Sequence, residues 1–417
     1  FFQAEDGIRV LVRSRGLGDV YKRQLLAQGL LAEGGEYDYY LGIVSSNNLA
    51  LTNWRLGNHS AAEEHFREGL DIMAEQHDMG SNGMNLTKNY ASFLLDRGSF
   101  PLAQHYFQLA LDANRVGGDQ GVFYGADYKL PAYAIACYKG LGDIYLHHHG
   151  SSGSTQFLDT ALTYYLRAID LVEGLHSERM VEADQLRLSE VHHSVYPSAV
   201  HAAITMARYD TSYLNRAVSI ASLGKAAVLN RALNVKRGME YSGIPSHLSE
   251  RERTLRQDAG VLQELLHEAR RNHEAHTNQI RHLEGSLLQV RTEHRELIRE
   301  FELNYPTYYA LRYDTVGITI ADIQDLLSTN QVLIEYILTD SVLISIAVSS
   351  QSVGWNSAKV DSNFFSSITT LRNELVPISF SEVTRDNLIR FAQASHTLYS
   401  YLLEPHRAML EGRELIV

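Results

Sequence analysis

Two segments of this chain repeat each other at a fixed distance. The stretch LALTNWRLGNHSAAEEHFREGL aligns without gaps with YASFLLDRGSFPLAQHYFQLAL, and this places Gly57 on Gly98, 41 residues later (98 − 57). A fixed period of this size is typical of stacked repeats, because each unit buries its apolar face only against a neighbour. The other matched positions are small or apolar: Ala50 and Ala91, Ala62 and Ala103, Phe66 and Phe107, Leu70 and Leu111.

Each copy has the pattern of a helical hairpin. Apolar residues recur at helical spacing on both sides of the central glycine, which predicts a helix, a tight turn and a second helix. The order of small residue, glycine, alanine and aromatic residue resembles the tetratricopeptide repeat, with a period longer than the usual ~34 residues. We therefore expect a mainly α fold that begins with a tetratricopeptide-type α-solenoid over residues 37–243.

Two further units are predicted downstream. In the third, the spacing between small residues is 19 (161 − 142) instead of 12 (62 − 50). We assign the excess to the stretch HHHGSSGSTQ, predicted to be an exposed loop whose three histidines do not bind a metal. A fourth unit is expected from about residue 197 to residue 224, with Ala217 and Ala221 in its second helix. The third unit is recognised from Leu141, Gly142, Tyr145, Ala161, Tyr165, Ala168 and Ile169.

Residues 249–303 change to a heptad pattern, which predicts an antiparallel, coiled-coil-like helical hairpin. The polar run RRNHEAHTN is the predicted turn, and one continuous helix is the alternative because no glycine or proline forces a break there. The seam also contains His273, His276 and His294. These histidines could make the packing of the two helices sensitive to pH, but a tolerated turn region is the simpler and preferred interpretation. Its apolar positions are Leu255, Leu262, Leu266, Ala269, Ile280, Leu283, Leu287, Val290, Leu297 and Phe301.

Residues 304–417 are predicted to contain both helices and strands. Thr319 or Asp322 can cap the helix IADIQDLL. A β-hairpin is predicted for QVLIEYIL and VLISIAV, which are separated by TDS. The segments NFFSSITTLRNEL and DNLIRFAQASHTLYSYLLEP are two predicted helices. The final ELIV is expected to be the first buried strand of an α/β core.

The order of several segments resembles one family. The chain is similar to proteins in which tetratricopeptide repeats precede a caspase-like CHAT domain. The similarity begins with VSIASLGKAAVLNRAL, followed by YSGIPSHLSERERTLRQ and ELNYPTYYALRYD. The similarity continues through ITIADIQDLL and QVLIEYIL to YLLEPHRAMLEGRELIV, and so covers roughly residues 37–417. It implies that residues 304–417 are the N-terminal part of a CHAT domain, incomplete before its catalytic core, and that the parent protein is a cysteine peptidase.

No catalytic residue is assigned in this chain. A caspase-like site needs a cysteine nucleophile and a histidine, which in that family lie in S-A-C-E-like and H-x-x-T-H-G-like motifs, and neither motif occurs here. The single cysteine, Cys137, falls in a predicted helix of the array and is expected to be an inert buried thiol. His396 and His406 precede the expected core. We therefore expect no catalysis by this chain, no cofactor and no metal.

Charge and hydropathy narrow the partner classes. A net charge of −12 argues against a general affinity for nucleic acid or anionic membranes. The most apolar run is interrupted by Glu335 and Asp340, so no membrane span is expected. We expect a bacterial cytoplasmic protein.

The two ends of the sequence suggest a fragment. Residues 1–24 resemble a translated sequencing-adapter read, and a disordered basic arm is the alternative.

The resemblance also places a binding surface, because the first helix of each tetratricopeptide unit lines a groove. Amides and lysines at such positions suit the backbone and carboxylates of an extended peptide. A solvated helix face is the alternative. Counting equivalent positions from Ala50, Ala91 and Gly142 selects Asn47, Asn85, Lys88, Ser92, Lys139 and Asp143.

The preferred hypothesis is therefore the partner-sensing, regulatory region of a caspase-like CHAT protease. Its repeats would bind a protein or peptide and pass the change through the helical hairpin to the protease domain. A non-catalytic tetratricopeptide scaffold or adaptor is the main alternative. A repeat protein that regulates a signalling kinase or a transcription factor is the third. No oligomeric state is predicted.

Overall fold

A computed structural model describes residues 39–76, 79–115, 128–178, 194–225, 244–271, 277–306, 308–309, 317–375 and 384–417. The hypothesis about residues 1–24 lies outside these ranges. The described chain divides into two compact units. The first contains the helices up to Gly153 together with Leu166–Val172, and the second contains Ser154–Tyr165 and the described residues from Glu173 to Val417.

The first unit is built from helical hairpins. Helices α1 (Tyr39–Arg55) and α2 (His59–Gln76) form one pair, and α3 (Ser81–Asp96) and α4 (Phe100–Asn114) form the next. The predicted glycine turns are confirmed, since Gly57 and Gly98 have φ values of 79° and 74°. Only glycine reaches this left-handed region without steric cost. Helix α5 (Pro131–Ser152) follows, and α6 (Thr155–Glu178) contributes residues to both units.

The matched small residues allow close packing within and between the hairpins. Ala50, Ala62, Ala91 and Ala103 are all fully buried. The ring of Phe66 on α2 lies 5.5 Å from that of Phe93 on α3, centroid to centroid, so the first hairpin buries its aromatic side chain against the second. The first hairpin thus covers part of its apolar face with the second.

The predicted histidine loop is wrong. Helix α5 continues to Ser152, so His147, His148 and His149 lie in its last turns, and the chain turns at Gly153, whose φ is 72°. The ring of His147 stacks on Phe100 of α4 with centroids 4.1 Å apart, and this contact supports the extra helical turns. Within the described ranges, no group of three or more His, Cys, Asp or Glu side chains is placed to hold a metal ion.

The second unit begins with more helices. Helices α7 (Val195–Ala207) and α8 (Tyr213–Gly224) form the hairpin expected as the fourth unit, and Ala217 and Ala221 are buried in α8. Helices α9 (Ser246–Arg271) and α10 (Thr277–Asn304) then form a long hairpin.

The long hairpin is antiparallel, so the alternative of one continuous helix is wrong. Leu255 near the start of α9 packs with Leu297 near the end of α10. Leu266 near the end of α9 packs with Leu287 in the middle of α10. His294 is buried in the seam as predicted. His273 and His276 lie outside the described residues.

A small mixed sheet completes the second unit. The short helix α11 (Ile320–Leu326) begins at an N-cap, Thr319, which forms a capping box with Asp322. Strands β1 (Gln331–Leu338), β2 (Val342–Ser349), β3 (Val353–Lys359) and β4 (Glu414–Ile416) lie in the order β3-β2-β1-β4. The β1–β2 hairpin is confirmed; β2 also pairs antiparallel with β3, and β4 pairs parallel with β1.

Two helices cover the sheet. Phe364 of α12 (Ser362–Leu375) and Leu398 of α13 (Arg385–Leu402) pack on Leu343 of β2. The chain then passes through a 3₁₀ turn, Glu404–His406, and the short helix α14 (Arg407–Leu410) into β4. Glu414 and Leu415 of β4 are exposed, and among the described strands β4 lies at the edge of the sheet beside β1. The expectation that ELIV is the first buried strand of an α/β core stays a prediction.

None of the helices in the described ranges combines the length and the apolar character that crossing a membrane requires.

Candidate functional site

The six predicted binding residues lie on the first helices of the hairpins and on α5. Helix α3 contacts both α1 and α5, so their side chains form one surface. The structure adds Asn89 and Tyr133 to this surface. We call the whole set the polar row: Asn47 on α1; Asn85, Lys88, Asn89 and Ser92 on α3; Tyr133, Lys139 and Asp143 on α5.

Two asparagines connect α1 to α3. The side-chain amide of Asn89 donates to Oδ1 of Asn47 over 2.8 Å, and Asn47 is only 5% exposed. A buried amide needs such a partner, because losing its hydrogen bonds to water is otherwise unfavourable. Asn85 Oδ1 lies 3.5 Å from the same Asn89 nitrogen. Asn47 therefore holds Asn89 in place through its Oδ1 atom.

Lys88 is the central cation of the polar row. It is half-buried, its Nζ donates to Oδ1 of Asn89 over 2.7 Å, and the same nitrogen lies 5.3 Å from the centroid of the Tyr133 ring. Burial lowers the pKa of Lys88, because removal from water disfavours the ammonium. Among the residues that the structure describes, no carboxylate forms an ion pair with Lys88. Its charge is stabilised there by an amide oxygen and an aromatic face.

The other charged residues of the polar row are already paired. Lys139 Nζ lies 2.9 Å from Oδ2 of Asp143, one turn later on α5, with both side chains half-buried. Ser92 Oγ donates to the backbone oxygen of Lys88 over 3.1 Å, a bond within α3. Of the six predicted residues, Lys88 is thus the charged residue that forms no ion pair with any described residue.

The single cysteine is buried beside the polar row. Burial raises the pKa of the Cys137 thiol to about 12. The thiol is therefore protonated at neutral pH, and a protonated thiol is a poor nucleophile. The prediction of a buried thiol is confirmed.

The two histidines considered for catalysis lie in the second unit. His396 is exposed on α13. His406 is buried, its Nε2 lies 2.7 Å from Oγ of Ser345 on β2, and burial lowers its pKa. Since Ser345 is equally buried, this pair is a structural contact between the 3₁₀ turn and the sheet, inaccessible to a substrate.

Sequence reasoning missed Asn89 and Tyr133. The signal for Asn89 was present, because the 41-residue period places it on Asn48 (89 − 41), so an asparagine recurs at this position. Tyr133 has no comparable signal, since α5 begins after residues that break the regular period. Its role depends on where α5 packs against α3.

No protein-family model matches the chain, and no curated protein matches it either.

Proposed function

We propose that the polar row binds an extended, acidic peptide segment of a partner protein, and that the chain is the partner-sensing part of a larger regulatory protein. One observation supports this most strongly. Lys88 is a half-buried ammonium held by Asn89 and Tyr133, with no carboxylate paired to it among the described residues. A peptide carboxylate would supply the opposite charge in partly desolvated surroundings.

The lowered pKa of Lys88 gives this proposal a physical basis. Burial makes the charged ammonium less favourable, and a bound anion would reverse that effect by favouring the charged form. The chain as a whole carries a net charge of −12, which repels acidic ligands at long range. Recognition would therefore depend on short-range contacts at Lys88 and neighbouring amides, with slow association at low salt.

The regulatory part of the proposal rests on the similarity of the segment order to proteins in which tetratricopeptide repeats precede a CHAT domain. In this interpretation residues 304–417 belong to a caspase-like domain whose catalytic residues lie in motifs absent from this sequence. A non-catalytic scaffold is the second candidate, because the one cysteine present is buried in the first unit. Sequence downstream of Val417 that contains the histidine and cysteine motifs would support the protease; a downstream sequence without them would support the scaffold.

A direct test measures binding of labelled decapeptides of graded net charge to the full chain by fluorescence anisotropy. We expect acidic peptides to bind and their neutral amide counterparts not to bind. Replacing Lys88 with methionine keeps an apolar stem over Tyr133 and removes the charge. It should weaken binding by about 10- to 150-fold, the effect of losing a hydrogen bond to a charged group.

The matched control is Lys129→Met, because Lys129 also belongs to the first unit and its Nζ donates to the backbone oxygen of Ala113. This variant should bind the same peptides within about twofold of the wild type. Equal losses in both variants would mean that the peptides respond only to total charge. Full binding by Lys88→Met would exclude Lys88 from the site.

A further inference from the structure

One stripe of polar residues on α8 binds the chain segment that enters the sheet. Asn215, Ser219 and Ser222 follow one another at spacings of four and three residues, which places them on one face of α8. Asn215 Oδ1 accepts from the backbone nitrogen of Ile320 over 3.1 Å. Ser222 Oγ accepts from the nitrogen of Ile318 over 3.0 Å, and Ser219 Oγ donates to the oxygen of Ile318 over 3.2 Å.

The same segment touches the backbone of α8. Gly317 is buried, and a Cβ added to it would overlap the backbone carbonyl of Ser219. Glycine is therefore required for the two backbones to approach this closely. Side-chain hydrogen bonds and a backbone contact together hold residues 317–320 on α8.

This segment leads directly to the sheet. Thr319 caps α11, and Gln324 on α11 donates through Nε2 to the backbone oxygen of Ser349 on β2 over 3.1 Å. Residues 317–320 and α11 thus form a continuous set of contacts from α8 to β2.

Two side-chain links join the α7–α8 hairpin to other strands of the sheet. Lys225, just after α8, lies 3.2 Å from Oε1 of Glu335 on β1, measured from Nζ. Arg208, just after α7, donates through Nη2 to Oγ of Ser357 on β3 over 2.7 Å.

The hairpin and β1 also border a cavity of about 180 Å³. The residues that line it include Tyr196, Val200, Ala221, Tyr336 and Ile337. These two links and the cavity lie between the α7–α8 hairpin and the sheet.

The long hairpin has a different set of neighbours. Among the residues that the structure describes, the buried clusters of α9 and α10 contain positions between 244 and 309 and none from the sheet. From these contacts we infer that displacement of the α7–α8 hairpin reaches the sheet through α8 and residues 317–320. The regulatory meaning of this coupling rests on the proposed function, whereas the coupling itself does not.

Hydrogen–deuterium exchange on the full chain tests the coupling without any ligand, so failure of peptide binding at the polar row leaves the result unaffected. The principal variant combines Asn215→Ala, Ser219→Ala and Ser222→Ala. Alanine favours helix more than serine or asparagine, so α8 itself should not be weakened. We expect exchange in residues 317–326 and in β1 to accelerate about tenfold or more, while α8 stays protected.

The control variant is Leu287→Ala, which removes a buried side chain from the long hairpin. It should accelerate exchange in α9 and α10 and leave residues 317–338 within about twofold of the wild type. Gly317→Ala is a second, steric test of the coupling and should change exchange in the same peptides as the triple variant. Unchanged exchange of residues 317–338 in both α8-directed variants, or an equal response to Leu287→Ala, would overturn the inference.

Discussion

Tyr308 offers an isosteric test of the buried contacts in the long hairpin. Its hydroxyl donates to Oε2 of Glu252 over 2.9 Å, and Glu252 is only 1% exposed. The other oxygen of Glu252 lies 2.9 Å from Arg256 Nε. Tyr308→Phe removes one oxygen atom and keeps the ring, whose centroid is 4.9 Å from that of Phe301. The variant therefore takes away one hydrogen bond of a buried carboxylate and leaves no cavity large enough to matter.

A hydrogen bond to a charged group contributes about 1.5–3 kcal/mol to stability. The free energy of local opening of the hairpin should fall by this amount. Because about 1.4 kcal/mol corresponds to a tenfold change in an equilibrium constant, exchange of the protected amides in α9 and α10 should accelerate about 10- to 150-fold. Hydrogen–deuterium exchange resolved by peptide measures this directly in the full chain.

The control is Tyr305→Phe, since Tyr305 packs against the same cluster and its hydroxyl has no hydrogen-bond partner among the described residues. Its exchange should stay within about twofold of the wild type. Equal acceleration in both variants would show that the effect comes from general disturbance of the cluster. No acceleration in Tyr308→Phe would refute the contribution assigned to the Glu252 hydrogen bond.

Three further predictions follow from packing and burial. Gly140→Ala should destabilise the first unit by about 1–3 kcal/mol, because the added Cβ would overlap the ring of Phe107. On the same helix, the Cβ added by Gly150→Ala meets no atom, so this variant should stabilise the unit by about 0.5–1 kcal/mol. Thermal unfolding of the two variants distinguishes these effects. The buried Cys137 thiol should react with a disulfide reagent only on unfolding, and rapid labelling of the native chain would contradict this. Burial lowers the pKa of His406, so the unfolded state takes up a proton first as the pH falls below about 6.5. The stability of the second unit should therefore decrease as the pH falls further. His406→Gln should reduce this pH dependence of stability, measured by urea unfolding at about pH 7 and pH 5.

Local patterns predicted much of the helical architecture. The matched Gly57 and Gly98 gave the turn positions correctly, because their left-handed backbone leaves a strong compositional signal. The β1–β2 hairpin and the reversal of the long hairpin were also predicted. These features depend on residues close together in the sequence.

Other features depend on contacts between distant residues. The extra turns of α5 were missed because Phe100, on another helix, supports His147. Strand β3, with the sequence VGWNSAK, lacks the apolar alternation of a predictable strand and is defined by pairing with β2. The hydrogen bonds of α8 to residues 317–320 join positions about a hundred residues apart.

The candidate site shows the same division. Counting along the repeats selected Lys88, but its environment depends on Tyr133 from α5. Asn47 was also selected from the repeats, and its buried hydrogen bond to Asn89 depends on how α1 packs on α3. Sequence spacing thus selected residues on these helices, and packing decided which of the selected side chains has no ion pair among the described residues.

We propose that α1, α3 and α5 carry the binding surface, with Lys88 at its centre. The most direct measurement is hydrogen–deuterium exchange of the full chain with and without the tightest-binding acidic peptide from the graded series. We expect protection around residues 85–92 on α3 and in the facing parts of α1 and α5, and its loss in Lys88→Met. Protection confined to α2 and α4, or the absence of binding by every acidic peptide, would contradict this proposed binding surface.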